Sequence, residues 1–309
     1  MALQTVLRTL TMLSILIPTY NYDISTLVET IHKQAVAANI VFEILCLDDH
    51  SNTQKTIQQN ERINSFSNAS YTILPENIGR SRIRNLLAQK ATYDWLLFLD
   101  ADVIPVASDF VSNYINAISA EKEVIYGGIL YQEEKPKQEN VLRWIYGKER
   151  EALTVQQRQE ALYLRFLTLS FLIKKEVFQK VKFNEDIPNA RHEDTLFAND
   201  LKHAEVHMTH IHNPVYHLGL DTSKEFIRKS MESVEVLILF LKNGLIEHHD
   251  ILITKVFKRA KTFGINHILS LMYRWFGKRF EKNLLSNNPS MFIFDLYRLT
   301  YLCYLDKRR

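Results

Sequence analysis

The chain has 309 residues, 46% of them hydrophobic and 24% charged, with a formal net charge of +3 at pH 7. This length allows one large domain or two, and the composition is typical of a globular protein. Cys46 and Cys303 are far apart and exclude a disulfide-rich framework. No apolar run approaches the roughly 18 residues that a membrane span requires, so we expect a cytoplasmic protein without transmembrane segments.

The charge is distributed unevenly. Residues 250–309 contain twelve Lys or Arg and four Asp or Glu, so this segment carries about +8 and the remainder about −5. Large apolar residues such as Trp275 and Phe276 lie among these cations. Two interpretations stay open: a helical region that binds an anionic membrane surface, and a packed helical subdomain with a solvated basic face. No motif supports nucleic-acid binding.

The N-terminal segment Met1–Ile17 is apolar and resembles a signal peptide at first sight. Arg8, however, interrupts the apolar stretch, and no small-residue cleavage site follows it. Residues Ser14–Ile17 are better interpreted as a buried strand that ends at Pro18.

Strand-like and helix-like segments alternate over the first hundred residues. The predicted strands are Leu13–Ile17, Phe42–Leu47, Tyr71–Leu74 and Trp95–Leu99, and the predicted helices are Ile24–Ala38, Thr53–Ser65 and Arg80–Lys90. Continuous apolar strands that alternate with helices predict a mostly parallel sheet with helices on both faces, as in Rossmann-like α/β proteins.

Three of these strands end in polar clusters: residues 18–21, Asp48-Asp49 and residues 100–102. In open parallel sheets, ligands bind beyond the carboxyl ends of the strands. We therefore expect the three clusters to converge on one crevice.

Asp100 and Asp102 are the most informative residues of the chain. They follow the apolar run Trp95–Leu99 directly, and two carboxylates at the end of a buried strand need a counter-charge. A divalent cation that carries a phosphate-bearing substrate meets this need, because hard cations prefer oxygen ligands. A solvated turn is the alternative for this pattern taken alone.

Further along, we predict strands at Val124–Leu130, Phe166–Ile173 and His210–His217. Beyond Asp221 the apolar residues follow a helical period throughout. We therefore predict a first domain over residues 1–220 and a basic, aromatic-rich helical region over residues 221–309.

Two residues indicate nucleotide binding. The ring of Tyr20 can stack on a base, and the carboxylate of Asp49 can accept a hydrogen bond from a pyrimidine imide. The alternatives are a tyrosine packed at the sheet edge and an aspartate that caps the next helix. Among the arginines of the helix Arg80–Lys90, Arg84 is predicted to face the crevice, together with Asn85.

Glu193 and Asp194 form a second carboxylate pair, at the start of a predicted helix. A carboxylate within reach of an acceptor hydroxyl can act as a general base, although an acidic pair also suits a helix N-terminus for structural reasons alone. His217 is predicted to emerge at a strand end, where it can complete the coordination of a metal.

Taken together, these segments resemble glycosyltransferase family 2, the inverting enzymes with a GT-A fold. The matching pieces occur in the family's order: residues 14–21, residues 47–51, Asn77-Ile78-Gly79 with Arg84-Asn85, residues 98–102, and Glu193-Asp194. The resemblance covers about residues 10–220 and implies a GT-A domain followed by a C-terminal helical region.

The resemblance also implies roles for individual residues. Pro18, Tyr20, Asp49, Arg84 and Asp100 bind the nucleotide; Asp102, Asp100 and His217 hold Mn²⁺ or Mg²⁺; and Asp194 is the catalytic base, while Glu193 contacts the acceptor. It implies a non-processive glycosyltransferase that uses a nucleotide sugar, with a UDP-sugar favoured, in polysaccharide or lipopolysaccharide biosynthesis. The acceptor is a glycan or a lipid-linked saccharide, and the inner face of a membrane is the expected location.

Two departures from the family pattern stand out. His50 replaces the glycine that commonly follows the Asp pair, so we expect an altered turn. Arg143-Trp144 resembles part of the Gln-x-x-Arg-Trp motif of processive synthases, but Asn140 replaces the Gln and the segment precedes Asp194. A nucleotidyltransferase and a catalytically inactive membrane-docking or scaffold protein are the competing hypotheses.

Overall fold

The computed structural model describes residues 12–187, 191–248 and 251–308. Residues 1–11, and with them most of the segment considered above as a signal peptide, lie outside this range. The chain forms two compact units that are interleaved in sequence. The first comprises residues 1–128, 167–183 and 205–216, and the second comprises residues 129–166, 184–204 and 217–309.

The secondary structure alternates strands and helices up to residue 217 and is helical beyond it. The strands are β1 (Met12–Thr19), β2 (Val41–Asp48), β3 (Ala69–Ile73), β4 (Trp95–Leu99), β5 (Val103–Pro105), β6 (Val124–Tyr126), β7 (Ile129–Leu130), β8 (Ser170–Lys174), β9 (Met208–His210) and β10 (Val215–His217). The helices are α1 (Ser25–Ala37), α2 (Gln54–Glu61), α3 (Arg80–Lys90), α4 (Phe110–Ala117), α5 (Val141–Tyr146), α6 (Val155–Gln159), α7 (Lys175–Lys180), α8 (Glu193–His203), α9 (Ser223–Lys242), α10 (Leu252–Thr262), α11 (Asn266–Leu284) and α12 (Met291–Arg308).

The first unit contains a seven-stranded sheet in the order β3-β2-β1-β4-β8-β6-β9. Strands β3, β2, β1 and β4 are parallel neighbours, whereas β8 runs antiparallel to both β4 and β6. The prediction of a mostly parallel sheet is thus confirmed. The polar segments after β1, β2 and β4 all lie at the carboxyl edge of this parallel part.

Burial explains why the central strands read as continuous apolar runs. Residues 15–17 in β1 and residues 96–99 in β4 are fully buried or nearly so, because helices cover both faces of the sheet. Helix α1 contributes Leu27, Val28 and Ile31, whose spacing places them on one helix face. Apolar burial of this kind contributes about 1.5–3 kcal/mol for each large side chain.

Two predicted strands are interrupted in the structure. The segment Val124–Leu130 divides into β6 and β7 at Gly127-Gly128, because the chain approaches a neighbouring backbone at this point. A Cβ on Gly127 would lie 2.2 Å from the carbonyl oxygen of Asn213, so no larger residue fits. The segment His210–His217 likewise divides into β9 and β10.

The second unit is mainly helical and has its own apolar clusters. One of them joins Leu142 of α5 to Phe226 and Ile227 of α9, Leu284 of α11 and Phe294 of α12. The predicted C-terminal helical region is therefore confirmed. The predicted boundary near residue 220 stays a prediction, since residues 129–166 and 184–204 also cluster with the helical unit. Among the helices that the structure describes, none has the length and apolar character needed to cross a membrane.

Candidate active site

The ends of β1 and β2 are tied to each other by hydrogen bonds. Thr19 is paired with Asp48, and the N–H of Asp49 donates to the carbonyl oxygen of Thr19 at 2.8 Å. Beyond the strands, the N–H of Asn21 donates to Ser51 Oγ at 2.7 Å. Asn21 adopts a left-handed conformation with φ of 50°, which asparagine tolerates better than most residues. The two polar clusters therefore form one edge of the first unit.

Asp49 anchors the loop that leads into α3. Its carboxylate accepts hydrogen bonds from the N–H groups of Ile78 and Gly79, at 2.7 Å and 3.0 Å. Asn77 Nδ2 donates to the Asp49 carbonyl oxygen at 2.9 Å. The Asp-Asp segment and the Asn-Ile-Gly segment, separate motifs in the sequence, are thus parts of one hydrogen-bonded structure.

Asp48 takes the turn-stabilising position that the sequence analysis considered for Asp49. It is fully buried, its Oδ1 accepts the N–H of Ser51 at 2.7 Å, and its Oδ2 accepts the hydroxyl of Tyr71. The signal was present in the sequence, because adjacent residues at a strand end point to opposite faces and cannot share one role.

His50 keeps a left-handed turn after the aspartate pair. Its φ is 65°, and its Nδ1 lies 3.1 Å from the carbonyl oxygen of Leu74. His50 thus adopts a left-handed backbone, and the expected difference from the turn of the family stays a prediction. Pro18 and Tyr20 flank the end of β1: Pro18 pairs with Leu47 inside the sheet, while Tyr20 is 50% exposed. Tyr20 is thus not packed into the sheet edge.

The end of β4 joins Asp100 to Arg84 of α3. Arg84 Nη2 donates to Asp100 Oδ1 at 2.6 Å, and the arginine side chain is buried. Burial nevertheless raises the pKa of Asp100, and the charge of Asp102 raises it further, against the opposing effect of Arg84. Burial therefore outweighs the attraction of Arg84 and Arg80 at this carboxyl group.

Tyr22 is a neighbour of Asp102 that the sequence analysis missed. Its pKa is raised, first by burial and then by the charge of Asp102. Tyr22 comes directly after the polar cluster of β1, whereas Asp102 follows β4. The three strand ends predicted to converge are thus in electrostatic or hydrogen-bonding contact with one another.

Asn85 has a supporting role next to Arg84. Its side chain donates to the carbonyl oxygen of Phe183 at 2.8 Å and accepts the N–H of the same residue at 3.1 Å. The Arg84 guanidinium lies over the Phe183 ring, 5.5 Å from its centroid. Both residues thus hold α3 against the segment that ends at Phe183, and Arg84 also contacts the β4 carboxylate.

Glu193 and Asp194 occupy the first turn of α8 in the second unit. Asp194 Oδ1 accepts the N–H of Thr195 at 2.7 Å, and the positive end of the helix favours the ionised carboxylate. His192 precedes the helix with φ of 83°, and its Nε2 contacts Ser233 Oγ at 2.6 Å. Burial and the charge of Arg298 lower the pKa of His192 to about 4. A neutral histidine therefore fixes the start of this helix.

His217 also lies in the second unit, where it is buried at the end of β10. Its Nδ1 is 3.1 Å from the Tyr131 hydroxyl and 3.4 Å from Arg143 Nη2. Arg143 in turn donates to Glu151 and packs on the rings of Tyr131, Tyr146 and Phe226. Arg143 is thus part of a buried framework and is 8% exposed, whereas Trp144 is only partly buried.

The first unit holds six of the predicted site residues, Pro18, Tyr20, Asp49, Arg84, Asp100 and Asp102. The second holds the other three, Glu193, Asp194 and His217. Within the described ranges, no three His, Cys, Asp or Glu side chains cluster closely enough to hold a metal ion by themselves. A metal bound here would need oxygen ligands from a substrate as well.

The model of one protein family matches more than half of the chain. It is described as "Glycosyl transferase family 2", and the match covers residues 14–182. This range includes every predicted nucleotide-binding residue and ends before Glu193. No curated protein matches the chain.

Solved structures show the same fold. A mannosyltransferase from Pyrobaculum calidifontis, in complex with GDP-Man and Mn²⁺, superposes with a TM-score of 0.58 at 13% identity, over 96% of this chain and 88% of that one. S. aureus TarS 1-349 superposes with a TM-score of 0.54 at 18% identity, over 96% and 91%. A longer TarS structure is only 41% covered by this chain, at 19% identity and a TM-score of 0.52 over 78% of this chain.

Proposed function

Because the chain belongs to glycosyl transferase family 2, we propose that it transfers a sugar from a nucleotide-sugar donor to an acceptor hydroxyl, with inversion at the anomeric carbon. One observation carries this proposal: Asp102 and the Arg84–Asp100 ion pair lie at the end of β4, beside the tied ends of β1 and β2. This is the edge at which parallel sheets bind nucleotides.

The first unit supplies groups for the nucleotide. The exposed ring of Tyr20 can stack on the base, and Pro18 borders the same strand end. Asp49 keeps acceptor capacity beyond its two backbone bonds, since an ionised carboxylate has about four lone-pair sites. We favour a UDP-sugar as donor. TarS 1-349 has been crystallised with UDP-GlcNAc, and the mannosyltransferase with GDP-Man.

Asp102 and Asp100 fit a divalent cation. Both are hard oxygen donors, and Asp100 retains a raised pKa that an added positive charge would lower. Arg84 already occupies one oxygen of Asp100, so Asp102 is the better candidate for direct coordination. His217 lies in the second unit and stays a prediction as a ligand. Bound Mn²⁺ or Mg²⁺ neutralises charge on the departing nucleoside diphosphate.

Asp194 is our candidate for the general base. The acceptor oxygen forms a bond to the anomeric carbon, the bond from that carbon to the diphosphate oxygen breaks, and the hydroxyl proton passes to the Asp194 carboxylate. The Thr195 N–H holds this carboxylate at the helix start, and Glu193, in the same first turn, is our candidate for contact with the acceptor. We expect general-base catalysis to contribute a factor of about 10²–10⁴.

A panel of UDP-, GDP- and dTDP-sugars, tested for turnover with Mn²⁺, checks the proposal. We expect one class to release its nucleoside diphosphate, and the variants Asp102→Asn and Asp194→Asn to lose this activity. Glu29→Gln, which alters an exposed carboxylate paired with Lys33, is the matched control and should change nothing. Pyrophosphate release from a nucleoside triphosphate and a sugar phosphate would instead identify a nucleotidyltransferase. Absence of turnover and of nucleotide binding would indicate a catalytically inactive protein.

We further propose attachment to the cytoplasmic face of an anionic membrane, with a lipid-linked saccharide or a growing glycan as acceptor. Five large apolar side chains between residues 252 and 292 are 63–75% exposed, whereas no other described one exceeds 55%. They are Leu252, Phe263, Ile268, Trp275 and Phe292. Residues 251–280 contain seven Lys or Arg and no Asp or Glu. Exposed aromatic and cationic side chains together suit an anionic lipid surface.

Vesicle flotation tests this second proposal. The protein should float with vesicles that contain phosphatidylglycerol and remain behind with phosphatidylcholine alone. Trp275→Ser with Phe263→Ser should reduce recovery, while Val36→Ser, at an exposed apolar position of the first unit, should not. Equal recovery with both vesicle types, or an unaffected double variant, would contradict membrane attachment.

A further inference from the structure

Arg298 of α12, in the second unit, has no carboxylate partner among the described residues. Its side chain is partly buried, its Nε is buried without a hydrogen-bond acceptor, and its guanidinium lies over the Phe294 ring, 5.4 Å from the centroid. By contrast, Arg143 and Arg150 of the same unit donate to carboxylates at 3.0 Å and 2.8 Å, and Asp295, one turn before Arg298, is the partner of Arg150. Within the described ranges, Arg298 is thus a partly buried positive charge without a counter-ion.

Tyr146 of α5 lies close to this guanidinium. The Tyr146 and Phe294 rings are 5.5 Å apart between centroids. Burial raises the pKa of Tyr146, and of the charges that act on its hydroxyl that of Arg298 has the largest effect, in the opposite direction. The hydroxyl therefore stays protonated at neutral pH and can donate a hydrogen bond, for which the described part of the chain supplies no acceptor. The guanidinium and this hydroxyl are two donors that can serve a ligand.

The positive charge also reaches the residues before α8. Burial and then the charge of Arg298 lower the pKa of His192 to about 4, with Arg191 acting in the same direction and Glu193 in the opposite one. His192 is therefore neutral at pH 7 and does not itself repel a cation or attract an anion. A negative group bound to Arg298 would lie close to the helix start that carries our candidate base, Asp194, and all of these residues belong to the second unit.

We propose that Arg298 and Tyr146 bind a phosphoryl group of the acceptor. The planar guanidinium presents paired N–H groups that match two phosphoryl oxygens, and the hydroxyl can donate to a third. The inference rests on the proposed function in one respect, that the ligand is the acceptor of the transfer. Of the two acceptor classes proposed above, a lipid-linked saccharide carries a phosphoryl group between lipid and sugar, whereas a neutral glycan carries none. The site therefore favours the lipid-linked class.

The position of Arg298 along α12 agrees with a lipid-linked ligand. Phe292, one of the exposed side chains proposed to contact a membrane, precedes Arg298 by six residues on the same helix, which corresponds to about 9 Å along its axis. A phosphoryl group attached to a lipid stays close to the surface in which the lipid is anchored. The distance between the two residues is short enough for one lipid-linked molecule to reach both.

Nitrogen NMR of the arginine side chains tests the site directly. In the whole chain labelled with ¹⁵N-arginine, the Nε–H signal missing from Arg298→Met identifies Arg298. Titration with farnesyl diphosphate or with N-acetylglucosamine 1-phosphate, at constant ionic strength, should shift this signal until it saturates, and N-acetylglucosamine without phosphate should not. The signal requires neither donor nor metal, so it tests the inference even if the proposed transfer activity is absent.

Calorimetry with N-acetylglucosamine 1-phosphate compares the variants. Arg298→Met should weaken binding at least tenfold and Tyr146→Phe about threefold, as expected for loss of a charged and of a neutral hydrogen-bond donor. Arg298→Lys, which keeps the charge but lacks the paired N–H groups, should bind with intermediate affinity and serves if Arg298→Met does not fold. Arg165→Met, which removes an exposed arginine of the same unit, is the matched control and should bind as the wild type does.

Four results would overturn the inference. They are an Arg298 signal that neither phosphate compound shifts, and equal affinity of the wild type, Arg298→Lys and Tyr146→Phe for the sugar phosphate. A shift with inorganic phosphate as strong as with the sugar phosphate would identify a site for free anions and contradict the assignment to the acceptor. A shift with sodium glucuronate alone would identify a carboxylate as the ligand and contradict the assignment to a phosphoryl group.

Discussion

In each compact unit a buried arginine is paired with a carboxylate, and the two pairs differ in the direction in which the pKa of the carboxyl group is shifted. Arg84 donates to Asp100 at 2.6 Å in the first unit, and Arg143 donates to Glu151 at 3.0 Å in the second. Burial acts to raise the pKa of both carboxyl groups. In Glu151 this is outweighed by Arg143, Tyr131 and His217, so its pKa is lowered, whereas the pKa of Asp100 stays raised.

The charges near the two carboxyl groups differ. At Asp100 the charge of Asp102 adds to the effect of burial, against Arg84 and Arg80, whereas Arg143, Tyr131 and His217 all lower the pKa of Glu151. A pair that is fully compensated is a structural element. A pair beside a second carboxylate favours the binding of another cation, such as a metal that accompanies a diphosphate. The comparison therefore separates a framework in one unit from the proposed binding site in the other.

Replacement of Arg143 should have the largest effect on the free energy of unfolding. Arg143→Met leaves Glu151 buried without its main partner, and we expect the free energy of unfolding to fall by about 4 kcal/mol. Urea denaturation at pH 7 measures this quantity. A loss below about 1 kcal/mol would show that the pair contributes no more than a surface ion pair does.

Replacement of Arg84 should affect the transfer activity more than the free energy of unfolding. Arg84→Met leaves Asp100 free to take up a proton, so we expect a loss of only about 1–2 kcal/mol in unfolding free energy. The rate of donor turnover at low substrate concentration should fall about a hundredfold, because the charge beside the nucleotide changes. Equal effects on stability for Arg84→Met and Arg143→Met would remove the distinction between the two pairs.

The smallest expected effect concerns how the destabilisation by a substitution changes with pH, which should differ in sign between Glu151 and Asp100. The folded-state pKa of Glu151 is lowered, so its stabilising contribution is present above the unfolded pKa and is lost as pH falls through the folded value. The folded-state pKa of Asp100 is raised, so its contribution declines as pH rises through the window above the unfolded value. The destabilisation by Glu151→Gln should therefore grow with pH, and that by Asp100→Asn should shrink. Unfolding free energies at several pH values measure both slopes, and slopes of the same sign would contradict the assigned shifts.

Local sequence signals predicted the central elements well. Helix α3 and strand β4 have the predicted bounds, because Gly79, with φ of 85°, marks the helix start and an apolar run marks the strand. The interruption of Val124–Leu130 was not predictable, since it depends on the distant carbonyl group of Asn213. The interleaved units also depend on packing between segments far apart in sequence.

The candidate site, too, was predictable from the sequence only in part. The residue types at the three strand ends indicated a binding edge, because apolar strands that end in carboxylates are chemically unusual. The sequence could not show that both oxygens of Asp49 accept backbone N–H groups 29 and 30 residues away, or that Arg84 pairs with Asp100. It also gave no sign that Tyr131 contacts His217, 86 residues later.

The central claim is that the end of β4, with Asp100 and Asp102, binds a metal together with a nucleoside diphosphate. Calorimetric titration of UDP and GDP, with and without Mn²⁺, tests it most directly in the wild type, Asp102→Asn and the control Glu29→Gln. We predict that Mn²⁺ strengthens binding of one nucleotide at least tenfold, about 1.4 kcal/mol, in the wild type and the control, and that Asp102→Asn abolishes this gain. Nucleotide binding that is the same with and without Mn²⁺, or the same in Asp102→Asn as in the wild type, would contradict the claim.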